Sequence, residues 1–531
     1  MAALGRRLPL LLALALAVGS AALLGALDLA RQPAQVAGAG RDDVSILAGE
    51  PATLDPAREG DSASAAVSAQ LFETLTTYDP DLVLRPALAA SWEVLDGGRR
   101  ILFHLRPGLT FSDGTPLTAA DVVRSWLRIL DPASPSPLAS LALDVEGASA
   151  YLRGESRDPS TVGFRVSGND VEVRLARPTD FVAVVASPTF GVVPPSIDRE
   201  AAPSAGEAFV GSGAYRIGQV TATALVLAAN ERYWAGPPPI RTVRLAFDIG
   251  GRSPVEVFAR GELDYTPISP FDASWIAWDR ELGPQLRSVP ALAVDFFGFD
   301  TSRPPFDDIR VRRAFAGAVD WRRIVALAAG DRATPATSLV PLGIPGRSGR
   351  DFGPVYDPAA ARALLAEAGY PGGAGFPPVT LVSAGSDYDE AVASTLHTAL
   401  GIDVHVERMP ADQYFARLSA DPPAFWSLGW VADYPSPNDF LGILLGTDRS
   451  SNYTRWSSSE FDAAIAEATA AGDPGAARAA YERAEAIVQR DVPAIPASYS
   501  TGWALTRDGL LGATQNGLGI LRLAGLAWSD R

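Results

Sequence analysis

Short segments in which apolar and polar residues alternate recur along the whole chain. Alternation with a period of two is typical of β-strands, because successive side chains of a strand point to opposite faces of the sheet. It predicts strands at 101–105, 171–175, 243–247 and 402–406. Beyond the N-terminus, the other apolar runs are short and interrupted, which indicates core strands or helix faces.

Helix start signals lie between these strands. Thr118 is followed three residues later by Asp121, a pattern that resembles a capping box and predicts a helix after Thr118. Further starts are Asp357-Pro358 before a helix at 359–368, Ser457 with Glu460 before a helix through Ile465, and Asp473-Pro474 before a helix towards Gln489. Because helices and strands are mixed throughout, without a fixed-period repeat or an obvious linker, the sequence predicts an α/β fold. A chain of this length without a linker is expected to cross between lobes several times.

An uncharged run of membrane-spanning length lies near the N-terminus, from Leu8 to Leu27. A secretory signal has an apolar stretch of roughly 7–15 residues and a spanning helix needs roughly 20, so an uncleaved anchor is favoured slightly over a cleaved signal. Arg6 and Arg7 precede the run and no basic residue follows before Arg31, which places the N-terminus in the cytoplasm. Both alternatives predict that the chain from about Val44 onward works outside the cytoplasm, in the periplasm or on the outer face of the cell membrane.

The composition is that of a globular protein with an acidic surface. The chain has 531 residues, of which 47% are hydrophobic and 20% are charged, and its net charge is −16. A nucleic-acid-binding protein needs a basic face for the phosphates, so nucleic acid is excluded as the main partner. Cysteine is absent, which excludes disulfides, thiolate metal sites, cysteine nucleophiles and the lipid-modified cysteine that tethers exported bacterial proteins.

The sequence lacks the motifs of catalysis. It contains no Gly-x-Ser-x-Gly, no His-Glu-x-x-His, no phosphate loop and no complete dinucleotide fingerprint. Its three histidines, His104, His397 and His405, are scattered, and two of them lie in predicted strands. A zinc site or a catalytic triad is therefore not expected. The sequence predicts a protein that is not an enzyme and that uses no metal or cofactor.

An aromatic segment from Phe425 to Pro435 surrounds a single acid. Asp433 lies in it between Trp430 and Tyr434. An acid in a water-poor aromatic wall suits a cationic group, since a low dielectric strengthens a charge-assisted hydrogen bond. The alternative is structural: Asp433 caps the turn or helix that follows, and the aromatic side chains fill a core. The residues alone leave both interpretations open.

A series of collinear segments carries a family resemblance. They are Thr53-Leu54-Asp55-Pro56, Leu71-Phe72-Glu73-Thr74-Leu75, Ser91-Trp92-Glu93, the stretch from Phe103 to Val122, Gly211-Ser212-Gly213-Ala214-Tyr215, Asn230-Glu231-Arg232-Tyr233-Trp234, Pro305-Phe306-Asp307-Asp308, the stretch from Ala363 to Tyr370, and the Asp433 segment. With these segments the chain resembles the extracytoplasmic solute-binding proteins of the peptide/nickel type, the oligopeptide- and dipeptide-binding receptors of ABC importers. The matches span roughly residues 44–500, and most of the segments are interpreted as fold markers.

The resemblance implies a two-lobed periplasmic-binding-protein type II fold, with the ligand cleft between the lobes. Residues 1–43 would be the N-terminal signal or anchor helix and its linker. The larger lobe would contain residues 44–290 and 485–531, and the smaller lobe residues 291–484. An extra subdomain of the larger lobe, which distinguishes this family from smaller binding proteins, would cover about residues 72–165.

The resemblance also implies a function. Asp433 matches the position at which peptide-binding members hold the α-amino group of the ligand, and Trp430 and Tyr434 match aromatic positions that line the pocket. A receptor of this type captures di- or oligopeptides by closing its lobes and delivers them to a membrane permease, and a monomer is expected. Alternatives on the same fold are a nickel or other metal chelate, an opine or an oligosaccharide as ligand. An extracellular hydrolase and a sensor that has lost transport are the other classes left open.

Overall fold

The computed structural model describes residues 41–199, 209–329 and 333–529. Its α-helices, in chain order, are α1 (Ser62–Leu71), α2 (Ala119–Ile129), α3 (Ala148–Leu152), α4 (Phe181–Val184), α5 (Pro254–Ala259), α6 (Pro270–Ile276), α7 (Ile309–Ala318), α8 (Trp321–Ala329), α9 (Pro358–Glu367), α10 (Asp389–Leu400), α11 (Ala411–Ala420), α12 (Ser459–Ala470) and α13 (Pro474–Asp491). No helix within the described ranges is long and apolar enough to cross a membrane. The N-terminal run at 8–27, predicted to be a signal or an anchor, lies outside the described residues.

The strands are distributed along the same length. They are β1 (Asp43–Leu47), β2 (Thr76–Tyr78), β3 (Leu84–Pro86), β4 (Ala89–Leu95), β5 (Arg100–Leu105), β6 (Phe164–Ser167), β7 (Asp170–Arg174), β8 (Tyr215–Val220), β9 (Ala224–Ala229), β10 (Thr242–Ala246), β11 (Tyr265–Ile268), β12 (Leu286–Phe299), β13 (Ala333–Pro335), β14 (Val379–Ser383), β15 (Val404–Arg408), β16 (Phe425–Val431), β17 (Ala494–Thr506), β18 (Leu510–Leu511) and β19 (Ala527–Trp528). A π-helical turn covers Asp439–Ile443. Helices and strands are mixed throughout, so the predicted α/β class is confirmed.

One large sheet organises the molecule. Its strands lie in the order β15-β14-β16-β12-β17-β11-β1-β10-β9-β8, and β13 pairs with β17 outside this path. β1 is parallel to β10 and β11 in one half, and β14 is parallel to β15 and β16 in the other. The central pairs β16-β12, β12-β17 and β17-β11 are antiparallel. The sheet therefore consists of two parallel-containing halves joined by antiparallel strands in the centre.

The central strands β12 and β17 join the two halves. They have 14 and 13 residues, more than twice the usual strand length of about five or six. The register of β12 against β17 shifts between Pro290 and Val294, and such an irregularity lets a strand bend from one half into the other. The lobe boundary predicted at 290/291 falls at this irregularity, and the boundary predicted at 484/485 falls inside α13. The division into lobes at these positions stays a prediction.

A separate antiparallel sheet in the order β4-β5-β7-β6 lies beside the large one. Its core is aromatic: the fully buried Trp126 of α2 packs edge-on against Phe103, Phe164, Phe181 and Phe190. Edge-to-face packing is the arrangement that the ring quadrupoles favour. The sheet extends from residue 89 to residue 174, so it overlaps the range predicted for the extra subdomain and continues beyond it.

The helix starts follow the capping signals of the sequence, with one difference. The Thr118 backbone N–H donates to Asp121 Oδ2 at 2.9 Å, which closes the capping box predicted for α2. Helix α12 begins one residue later than the Ser457 cap would place it. Ser458 is the cap, and its hydroxyl oxygen accepts from the Phe461 N–H at 3.3 Å. Adjacent serines are equivalent in a sequence pattern, so only the backbone path decides between them.

The region of the separate sheet also contacts the part of the chain predicted to be the smaller lobe. Arg449 donates from Nη2 to Asp144 Oδ1 at 2.7 Å and from Nη1 to the Ser140 carbonyl oxygen at 2.9 Å. Ser140 Oγ lies 2.5 Å from Ser450 Oγ. Ser140, Asp144 and Arg449 are buried. We call these three residues the latch, because they hold the two parts of the molecule together away from the central strands.

Candidate functional site

A cavity of about 320 Å³, which we call the Asp433 cavity, lies where the two predicted lobes meet. Strand β16 ends at Val431, and the chain leaves it along the cavity wall. Six parts of the chain line the cavity: Glu59 to Ser62 with Ala65, Leu138, Pro188, Phe415, 429–433, and Leu518 with Ile520. The volume lies in the range of about 300–1,000 Å³ that is usual for small-ligand sites. The Asp433 cavity is therefore a candidate binding site enclosed from both lobes.

The Asp433 carboxylate has an oxygen without a partner. The Asp433 backbone N–H and the Trp430 indole N–H both donate to Asp439 Oδ2, each at 3.1 Å. Asp433 Oδ2 is itself buried and accepts no hydrogen bond. Burial raises the pKa of Asp433, because the charged form has lost water without gaining a partner. This arrangement suits a ligand that brings a cation.

Glu59 faces the same cavity from the opposite lobe. Its side chain is 1% exposed, and Ser68 Oγ donates to Oε2 at 2.5 Å, whereas Oε1 is buried without a partner. Burial raises the pKa of Glu59 well above its usual range, and the charge of Asp433 raises it further. Glu59 is not predicted from the sequence, although it lies three residues after the family segment that ends at Pro56. Two acids from distant parts of the chain thus share one enclosed space.

The two aromatic residues predicted for the site differ in position. Trp430 is half-buried and lines the Asp433 cavity. Tyr434 is 1% exposed and packs in the core, where its hydroxyl oxygen accepts from Asn438 Nδ2 at 2.8 Å. Asp439, at the start of the π-helical turn, accepts the N–H groups of this bend. Ligand contact by Asp433, Trp430 and Tyr434 stays a prediction, and the geometry places the first two at the cavity and Tyr434 behind it.

A second cavity, of about 480 Å³, adjoins the first, and we call it the Asp295 cavity. Phe415 and Gly429 line both cavities, so the two lie side by side. Further lining comes from the central strands, from the loop that begins α10, and from aromatic side chains: Asp295, Phe296, Ser500, Thr501, Ala384 to Tyr388 and Tyr414. Two adjacent cavities suit a ligand that extends from Asp433 past Gly429.

Within the described ranges, no group of three or more histidine, cysteine, aspartate or glutamate side chains could hold a metal ion. Two of the histidines pair with acids outside the cavities. His104 Nδ1 lies 3.0 Å from Asp170 Oδ2 in the separate sheet, and His397 Nδ1 lies 2.7 Å from Asp403 Oδ1 at the surface. The residues that line the two cavities therefore offer a ligand carboxylate and aromatic groups.

Comparison with known proteins decides the family. Residues 83–452 match the model for bacterial extracellular solute-binding proteins, family 5 Middle, which is more than half of the chain. The chain belongs to this family. The relationship predicted from the collinear segments is therefore confirmed.

Relatives of this solute-binding protein span nearly its whole length. It is 31% identical over 470 residues to the probable deoxycholate-binding periplasmic protein of Escherichia coli strain K12, covering 85% of this chain and 86% of that protein. The structure of the E. coli murein tripeptide binding protein superposes with a TM-score of 0.82 at 26% identity, over 93% of this chain and 99% of that one. Haemophilus influenzae OppA in complex with the peptide RPPGFSPFR gives 0.81 at 25% identity, over 92% and 99%. These structures confirm the predicted type II fold.

The comparison also bears on the arrangement of the lobes. The unliganded open form of the murein tripeptide binding protein superposes with a TM-score of only 0.68, at 25% identity over 93% of this chain and 98% of that one. The other structure of the same protein gives 0.82, so the difference reflects conformation and not sequence. The lobes of this solute-binding protein are thus arranged more like those of the peptide complex than like those of the open form.

Proposed function

We propose that this solute-binding protein captures peptides with a free amino terminus between its lobes and delivers them to a membrane permease. The observation that supports the proposal is the pair of buried, unpartnered oxygens, Asp433 Oδ2 and Glu59 Oε1, at one cavity. An ammonium group has three N–H donors and no acceptor, so one α-amino group can satisfy both oxygens at once.

The same pair explains how a ligand closes the lobes. Closure without a ligand brings the Asp433 and Glu59 carboxyl groups into one water-poor space, which is unfavourable while they are charged. An ammonium group between them replaces repulsion by attraction. The ligand then binds the closed form more tightly than the open form, and this difference in affinity shifts the population towards closure.

The rest of the peptide would extend past Gly429 into the Asp295 cavity. Water molecules would fill the space that its side chains leave, which permits varied sequences. No bond is made or broken in this cycle, so the protein acts as a receptor and not as an enzyme. The receptor works as an extracytoplasmic monomer, and the N-terminal run at 8–27 holds it at the membrane where that run is not cleaved.

An anionic steroid is the second candidate ligand, because a relative at 31% identity is named as probably deoxycholate-binding. Deoxycholate carries a carboxylate, which the ionised forms of Asp433, Glu59 and Asp295 would repel in the two adjacent cavities. A metal chelate, an opine or an oligosaccharide would have to satisfy the same acids with metal or hydroxyl groups. An amine can donate hydrogen bonds to these acids directly, without a metal ion or additional hydroxyl groups.

Calorimetric titration with the tripeptide Ala-Phe-Leu and its N-acetylated form tests the proposal. Asp433→Asn should weaken binding of the free peptide by about 1.5–3 kcal/mol, the scale of a hydrogen bond to a charged group. Acetylation, which removes the ammonium charge, should weaken binding by the wild-type protein similarly. Asp403→Asn is the matched control, since the Asp403 side chain is 92% exposed and pairs with His397 at the surface.

Several results would contradict the proposal. Equal affinity of wild type and Asp433→Asn for Ala-Phe-Leu would remove Asp433 from the site. Tighter binding of deoxycholate than of any peptide would move the ligand to the steroid class. Hydrolysis of a panel of esters, peptides and glycosides would overturn the receptor function. Native mass spectrometry of the purified protein would identify a retained small molecule directly.

A further inference from the structure

Asp439 lies directly behind the wall of the Asp433 cavity. Its side chain is fully buried, and Asp439 is not one of the residues that line the cavity. It begins the π-helical turn Asp439–Ile443, and every residue of this turn is buried. The Asp439 backbone N–H donates to the Ser436 carbonyl oxygen at 3.1 Å. The hydrophobic core therefore fixes the position of this acid.

Asp439 accepts the first backbone N–H that leaves the large sheet. Strand β16 ends at Val431, and the N–H of Ala432 still donates to the Leu292 carbonyl oxygen of β12 at 2.8 Å. The next N–H, that of Asp433, donates to Asp439 Oδ2 at 3.1 Å. A backbone N–H shielded from water needs an acceptor, so Asp439 replaces the strand partner at the residue that carries the site's carboxylate.

The same oxygen holds the aromatic wall of the cavity. The Trp430 indole N–H donates to Asp439 Oδ2 at 3.1 Å, and the Trp430 side chain lines the cavity. The indole N–H is the only polar group of a tryptophan side chain. Because this group is bound to Asp439, the ring is fixed in the wall. One buried oxygen thus supports both the acid and the aromatic side chain predicted to contact the ligand.

The electrostatics of Asp439 suit a supporting role. Burial raises the pKa of Asp439 well above its usual range, and the charge of Asp433 raises it further. A protonated Asp439 accepts both N–H groups through Oδ2 without placing a second charge beside Asp433. Oδ1, which is buried and has no partner, would then carry the proton. Asparagine offers the same acceptor, a carbonyl oxygen, in a side chain of the same size.

We propose that Asp439 is the positioning residue of the amine site, because it sets the orientation in which Asp433 Oδ2 meets the ammonium group of the ligand. This inference rests on the proposed function, since the ammonium group is the one that Asp433 and Glu59 bind in that proposal. A site held in its bound geometry loses little freedom when the ligand arrives. Without Asp439 the contact with the amine should weaken more than the contacts with the rest of the peptide.

The amine preference of the purified full-length protein tests the inference. We define it as the dissociation constant of N-acetylated Ala-Phe-Leu divided by that of free Ala-Phe-Leu, both measured by calorimetric titration. Asp439→Leu, which has a similar size and no acceptor, should lower the preference at least fivefold. Asp439→Asn keeps the acceptor and should hold the preference within twofold of wild type. General damage to the fold weakens both peptides alike, so only a change in the ratio indicates positioning.

A double variant shows whether Asp439 acts through Asp433. Asp433→Asn combined with Asp439→Leu should have the same amine preference as Asp433→Asn alone. A further loss in the double variant, or an equal loss in Asp439→Asn and Asp439→Leu, would overturn the positioning role. Where Asp439→Leu does not fold, Asp439→Ala takes its place. A loss of at least threefold is then expected, and an unchanged preference overturns the inference.

The single variants distinguish the failure of this inference from that of the proposed function. If Asp433→Asn lowers the amine preference and Asp439→Leu does not, the inference is wrong and the proposed function stands. If Asp433→Asn leaves the preference unchanged, Asp433 does not bind the amine, and both are wrong.

Discussion

At the scale of single residues, a carboxyl group buried without a partner keeps its proton to a higher pH, and a bound cation releases that proton. Burial raises the pKa of both Asp433 and Glu59. An ammonium ligand lowers both pKa values again, so binding should release protons. Affinity should therefore increase with pH between the pKa values of these acids in the complex and their pKa values in the free protein. Titration of Ala-Phe-Leu from about pH 5 to pH 8, in buffers of different ionisation enthalpy, measures the released protons.

The control for proton release is Glu59→Gln, which removes one titrating group and leaves a side chain of the same size. It should release fewer protons than wild type and show a shallower dependence of affinity on pH. Affinity for Ala-Phe-Leu that is independent of pH in wild type would contradict the assignment of these acids to the ligand.

Gly429 gives a second prediction at the residue scale. A methyl group at this position would lie 2.9 Å from Asp295 Oδ1, so Gly429→Ala must displace that carboxylate. We expect the variant to lose about tenfold in affinity for Ala-Phe-Leu, about 1.4 kcal/mol, because the displaced carboxylate narrows the Asp295 cavity into which the proposed peptide extends. Gly349→Ala is the control, because nothing lies within 4 Å of a Cβ atom there. Unchanged affinity of Gly429→Ala for Ala-Phe-Leu would place the ligand outside the Asp295 cavity.

Only part of the candidate site could be predicted from the sequence. Asp433 and Trp430 could be found because their aromatic neighbours are adjacent in the chain and match a family segment. Glu59 and Asp295 could not, because an acid becomes part of a site only through the distant residues that the fold places opposite it. Tyr434 has the same local pattern as Trp430, and only the direction of the chain after β16 puts it in the core.

At the scale of elements, helix α13 carries a buried acid beside the central strands. Burial raises the pKa of Glu485 to about 7, and the Ser338 hydroxyl, which donates to Oε1, lowers it only in part. The folded state holds this proton more tightly than the unfolded state does. The contribution of Glu485 to stability is therefore present below the unfolded-state pKa of 4.5 and is lost as pH rises towards about 7.

Glu485→Gln should remove this dependence. At pH 8 the variant should be more stable than wild type by up to about 3 kcal/mol, the free energy equivalent of the raised pKa, and near pH 4 the two should be equally stable. Urea unfolding at both pH values measures the difference. The control is Glu467→Gln on α12, whose exposed side chain pairs with Arg483. If wild type and Glu485→Gln lose the same amount of stability between pH 4 and pH 8, the prediction is wrong.

The predictability of the elements follows from their environment. The strand predicted at 101–105 is β5 at Arg100–Leu105, since one of its faces is buried and the other is partly exposed. The long β12 was not predicted, because its apolar second half is buried almost throughout and shows no alternation. Its bend between the lobes depends on pairing with β17 near the other end of the chain. Local patterns can therefore predict individual strands, whereas the strands that join the lobes are recognised only in the tertiary structure.

At the scale of the whole molecule, two sets of contacts act oppositely on lobe closure. The latch residues Ser140, Asp144 and Arg449 are buried and paired, so they favour the closed arrangement. Glu59 is buried and Asp433 is partly buried, and each has a buried oxygen without a hydrogen-bond partner, so they oppose closure until a cation binds. A receptor needs both, because closure must be accessible without a ligand and stable only with one.

Arg449→Met removes the latch cation while keeping an apolar side chain of similar length. In the closed form the variant loses charge-assisted hydrogen bonds to Asp144 and Ser140, whereas Asp144 keeps its pairing with Arg177. We expect ligand affinity to fall by about 1.5–3 kcal/mol and the radius of gyration of the unliganded protein to increase. Saturating ligand should restore the wild-type radius.

Small-angle scattering with and without ligand measures both effects. The control is Arg483→Met, which removes a surface pair with Glu467 inside one lobe. If Arg449→Met and Arg483→Met scatter identically without ligand, the latch does not set the position of the lobes, and closure depends on the ligand and the central strands alone.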